Sequence, residues 1–83
     1  MFLTTKDQIK EYLNKGIEIM VIPYTEKVID CSSAVFWKRD EKIFTWSSPF
    51  GTIERTDRTE EEILDHLASF LKDEDFRLNA AGH

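Results

Sequence analysis

The sequence predicts a small α+β domain: a two-layer sandwich in which two amphipathic helices flank a three-stranded antiparallel sheet, in the order α-β-β-β-α. Three observations carry this reading. Apolar residues recur at helical spacing near both ends, runs of β-branched and aromatic residues lie between them, and 41% hydrophobic with 12% aromatic residues is too apolar for a disordered chain despite 33% charge. Eighty-three residues support one core, so residues 1–76 are expected to form a single domain. Arg77–His83 has little to bury and is expected to be a flexible C-terminal tail.

The first helix starts at Thr5, which with Gln8 has the capping-box spacing, and stops at Gly16, which can take the left-handed conformation just past a helix end. Ile9, Tyr12 and Leu13 share one face of it, with Phe2 and Leu3 tucked beneath its start. Ile17–Ile22 reads as a strand closed by Pro23 and lying at the sheet edge, with Ile17, Ile19 and Val21 on one face and Glu18, Met20 and Ile22 on the other. Tyr24–Ser33 reads mostly as loop.

Ala34–Ser48 gives the strongest hairpin signal, two aromatic and β-branched runs around Arg39-Asp40-Glu41-Lys42. A two- or four-residue turn pairs Lys38 with Ile43, Trp37 with Phe44 and Val35 with Trp46. Val35, Trp37, Phe44 and Trp46 then share a face. It is expected to be the core face, because burying ~200 Å² of each tryptophan contributes up to about 5 kcal/mol gross. The opposite face carries Phe36, Lys38, Ile43 and Thr45, whereas a three-residue turn would group Phe36 with Phe44 and Trp46. Ser47–Arg58 is turn-rich, with Phe50 and Ile53 as expected anchors. The last helix opens on the capping box Thr59-x-x-Glu62, gains from Glu60, Glu61 and Glu62 in its first turn, and buries Ile63, Leu64, Leu67, Phe70 and Leu71. Phe76 is expected to fold back onto the core.

The net charge is −5, and it is unevenly placed: residues 1–42 hold seven basic and seven acidic side chains, residues 43–83 four and nine. That imbalance argues against direct nucleic-acid binding, which needs clustered Lys and Arg. The single cysteine, Cys31, excludes an intramolecular disulfide. There is no long apolar run for a membrane span, and MFLTTKDQIKEYL lacks the features of a signal peptide, so a cytoplasmic location is expected.

Candidates for chemistry are weak. Asp65 and His66 are helix neighbours about 100° apart and do not face each other. Cys31 has Asp30 beside it and no cation to lower its pKa. No serine sits in a nucleophile elbow, the two histidines and one cysteine lack zinc-site spacing, and three scattered glycines make no phosphate loop. The expectation is no catalytic residue, no metal and no cofactor. The α-β-β-β-α order is similar to that of double-stranded-RNA-binding domains, yet the stretch Thr59-Glu60-Glu61-Glu62 stands where that family places cations, which argues against RNA binding.

Two surfaces remain as binding candidates. One is the acidic surface of Glu54, Asp57, Glu60, Glu61 and Asp65, continued by Asp73, Glu74 and Asp75, whose carboxylates can imitate a phosphate backbone. In acidity, length and element order the chain resembles small phage-encoded inhibitors of host nucleases. The expected function is thus a non-enzymatic protein-binding module, an inhibitor or regulator occupying a basic, nucleic-acid-handling surface of a protein partner. The other surface is an outer sheet face of Met20, Ile22, Phe36 and Ile43, which, with the edge strand Ile17–Ile22, supports the alternative of a homodimeric structural or adaptor protein.

Overall fold

The computed structural model describes residues 2–28 and 33–81. Along them run α1 (Lys6–Asn14), β1 (Ile19–Pro23), β2 (Ala34–Arg39), β3 (Lys42–Ser47), β4 (Gly51–Glu54), α2 (Glu60–Ser69), a 3-10 turn at Phe70–Lys72 and β5 (Phe76–Ala80). The α+β class holds, but the sheet has five strands rather than three, all antiparallel, in the order β4-β3-β2-β1-β5.

The local rules that start and stop the helices operate as expected. Thr5 accepts from the Gln8 N–H while the Gln8 side chain accepts from the Thr5 N–H, and Thr59 and Glu62 repeat the exchange at α2. Gly16 turns the chain out of α1 at φ 75°. The hairpin β2–β3 closes through Asp40 and Glu41, both at positive φ, as a two-residue turn matched to strand twist requires. Its register pairs Val35 with Trp46, Trp37 with Phe44 and Lys38 with Ile43, the parity read from the sequence.

Which face of that hairpin is the core is the reverse of the expectation. Phe36 (4% exposed) and Ile43 (5%) are buried with Ile9 and Leu13 of α1 and Ile63, Leu64 and Leu67 of α2. Trp37 and Phe44 are only partly buried, and Trp46 is 43% exposed. The cause lies in β1 and β5. Ile19 pairs with Phe36 and with Ala80, and Val21 pairs with Leu78, so the wholly aliphatic side of β1 fixes Phe36 on the same face. Both helices cover that face and neither covers the other.

β5 corrects the expected tail. Phe76, Leu78 and Ala80 alternate with Arg77 and Asn79, and Leu78 and Ala80 are fully in the core. Because β5 lies outside β1, β1 is an inner strand with both ladders filled, and the expected edge at Ile17–Ile22 does not exist. With β4 and β5 added, the order is α-β-β-β-β-α-β, so the likeness to the double-stranded-RNA-binding order lapses as well. The expected anchors Phe50 and Ile53 are 74% and 44% exposed. Leu3 is buried, whereas Phe2 lies on the surface with its ring edge-on to Tyr24.

Candidate functional site: the uncovered face of the sheet

Strand alternation assembles the uncovered face from residues far apart in sequence. Across the sheet it runs from Thr52 and Glu54 on β4, through Phe44 and Trp46 on β3 and Val35 and Trp37 on β2, to Met20 and Ile22 on β1 and Arg77 and Asn79 on β5. The rings of Trp37 and Phe44 stack at 5.8 Å and 16°, a cross-strand pair in which each ring restrains the other. At the β5 side, the Arg77 guanidinium sits 4.2 Å from the centre of the Tyr24 ring. Arg39 and Lys42 border the patch at the hairpin end, and Lys42 lies 3.5 Å from Glu54. The result is an apolar centre of six side chains with a rim of both signs.

Of the four residues expected on an outer sheet face, Met20 and Ile22 are there. Phe36 and Ile43 belong to the helix-covered core. The residues the sequence reading missed as surface are Val35, Trp37, Phe44 and Trp46. The signal for them was the alternation Phe76-Arg77-Leu78-Asn79-Ala80, which demands a further strand and a helix-side face lined by aliphatic residues.

Of the acidic residues, Glu60, Glu61 and Asp65 lie on α2 in the helix layer and Glu54 on the uncovered face, and these four and Asp57 each stand beside a cation. Glu60 Oε1 accepts from Lys38 Nζ at 2.7 Å, and the same ammonium donates to Asn14 Oδ1 at 3.0 Å, so Lys38 ties α2 to α1 from beneath. Lys38 is held above its ordinary pKa, because the hydrogen bond to Glu60 outweighs the effect of its burial. Lys6 of α1 bridges Asp65 and Glu61 of α2, both at 2.5 Å, and those two hydrogen bonds raise its pKa. Glu54 pairs with Lys42, and Asp57 lies 3.8 Å from Arg58. The carboxylates predicted as a partner surface therefore neutralise lysines and an arginine of the same chain.

Asp65 and His66 go to different neighbours. Asp65 meets Lys6, while the His66 ring lies 5.3 Å from that of Phe70 and 6.3 Å from that of Phe36. Burial, then the fields of Arg58 and Arg55, lower the His66 pKa. Cys31 and Asp30 lie outside the described residues. A crevice of about 260 Å³ beside the start of α2 brings together Lys38, Lys42, Arg55 and Arg58, but three carboxylates alternate with them. Among the described residues no group of three His, Cys, Asp or Glu side chains is placed to hold a metal ion, and no helix is long and apolar enough to cross a membrane.

Comparison with protein families, with curated proteins and with solved structures gave no match. Fold and site together define the class: a two-layer α+β domain with one sheet face under two helices and one aromatic face open.

Proposed function

We propose that the domain is a non-enzymatic protein-binding module whose contact surface is the uncovered sheet face centred on Trp37, Phe44 and Trp46. The observation that carries the proposal is the placement of both helices on the Phe36 side, which leaves Trp46 43% exposed at the heart of an apolar patch. Contiguous apolar patches with a polar rim are the usual mark of a protein interface, and tryptophan is enriched at the residues that dominate such contacts.

A second reading keeps the acidic layer as the contact, with the domain acting as an inhibitor or regulator on a basic, nucleic-acid-handling surface of its partner. It draws support from the exposure of the Glu61 and Asp65 side chains at 66% and 65%. Pairing with Lys6 and Lys38 weakens it, since an ion pair must be broken or shared before either carboxylate serves a partner.

One capture experiment separates the two. Tagged protein is used to retain partners from native lysate at low and high salt, alongside Trp46→Arg and the triple variant Glu60→Lys, Glu61→Lys, Asp65→Lys. Loss with Trp46→Arg and persistence at high salt supports the aromatic face. Loss with the triple variant and at high salt, with Trp46→Arg unimpaired, transfers the contact to the acidic layer.

A further inference from the structure

We infer that the occupant of the uncovered face is a second copy of this chain, so that the working unit is a four-layer sandwich of helices, sheet, sheet and helices. The inference rests on the reading of that face as the contact surface. Its first support is area. Five strands ~4.8 Å apart and about five residues long at ~3.3 Å each give a face of roughly 24 by 17 Å. That is about 400 Å² in plan per copy, and side-chain relief brings the accessible area toward the roughly 600 Å² per partner at the small end of specific interfaces. A loop or short peptide would leave much of it wet.

The second support is electrostatic. The uncovered face carries Arg39, Lys42 and Arg77 against Glu18 and Glu54, so two such faces meet without a large excess of one sign. A nucleic acid would need a cluster of cations there, and Lys42 is already beside Glu54 and Arg77 over Tyr24. Joining the sheets about 10 Å apart leaves the two acidic α2 layers on opposite outer surfaces. They are then separated by well over the ~8 Å screening length of physiological salt.

The third is the state of the edges, the other route by which sheet proteins pair. Leu3 N–H donates to Leu78 O at 2.8 Å and Phe2 bridges to Asn79, so the N-terminal residues occupy part of the β5 edge. β4 offers only four residues.

Sedimentation equilibrium at tens of micromolar tests the inference. The expected result is a mass twice 9.8 kDa for the wild type and a folded monomer for Trp46→Arg. Ile53→Lys, on the helix side of β4, keeps the dimer. Tryptophan emission of the wild type should shift to longer wavelength on dilution, in step with dissociation, because both indoles line the contact. Should Trp46→Arg prove unfolded by circular dichroism, Val35→Lys on the neighbouring strand reads the same surface. A monomeric wild type overturns the inference, and if lysate capture is still lost in Trp46→Arg the face remains a contact for a different protein. A dimer that survives in Trp46→Arg overturns it too, and if capture is also unimpaired the reading of the face itself fails.

Discussion

His66, which invites a catalytic reading in the sequence, packs its ring beside two aromatic residues. Its ring is set between Phe36 and Phe70, and burial with two nearby arginines lowers its pKa from the ordinary value of 6.5. The unfolded chain therefore binds a proton more readily than the fold. The associated stability is intact above about pH 6.5 and is lost as the pH falls below it. His66 is exposed, so solvent screens the effect: the urea midpoint of the wild type should fall slightly more than that of His66→Gln between about pH 7.5 and about pH 5.5. A wild-type midpoint that falls less than that of the variant over this interval would refute the assignment. Glu62, held below the usual carboxylate value by its hydrogen bonds to Thr59, acts only under more acid conditions, below its unfolded value of about 4.5. Lys38 is the second residue whose place matters. Its side chain is 14% exposed and reaches both helices, so Lys38→Ala should lower stability by roughly 1–2 kcal/mol, the value of a charge-assisted bond lost with its methylene burial. A change within a few tenths would show that the bridge is idle.

At the scale of elements, the best-read parts were those whose signals are local. Both capping boxes, the helical stripes and the hairpin register depend on residues a few positions apart, and each is found where the spacing put it. Thr59→Ala should cost about 1 kcal/mol by chemical denaturation, since it orphans the Glu62 N–H at the start of α2. β5 was illegible for a physical reason. Its five residues bury themselves only because β1 is already there to pair with, and Arg77 and Asn79 dilute its composition. The same non-local pairing decided the faces. Hairpin parity fixes which residues share a side, but only the Ile19–Phe36 pairing tells which side meets the helices. Residue volume pointed the wrong way, since the largest side chains, the tryptophans, lie on the open side. If β5 completes the core as described, Leu78→Asp should abolish the cooperative unfolding transition, because it places an unpaired carboxylate in the core. A variant that unfolds like the wild type would return residues 77–81 to the role of a dispensable tail.

For the whole molecule, the layers sort the chemistry. One layer holds both helices, with the α2 carboxylates Glu60, Glu61 and Asp65 tied to Lys38 and Lys6. The other is a sheet face that neither helix covers, with aromatic side chains at its centre. Of the candidate site, Met20 and Ile22 were legible in the sequence, because their parity was plain; the three aromatic residues at its centre were not, because their burial depends on what covers them. Everything proposed about binding depends on the orientation of the sheet beneath its helices, and a pair of truncations measures it. Phe36→Ala and Trp46→Ala are unfolded in urea below micromolar concentration, where self-association contributes least. Phe36→Ala should lose about 3–5 kcal/mol, as expected of an aromatic removed from a closed core, and Trp46→Ala no more than about 1–2 kcal/mol. The reverse order of losses would mean that the helices cover the tryptophans, and the open aromatic face would not exist.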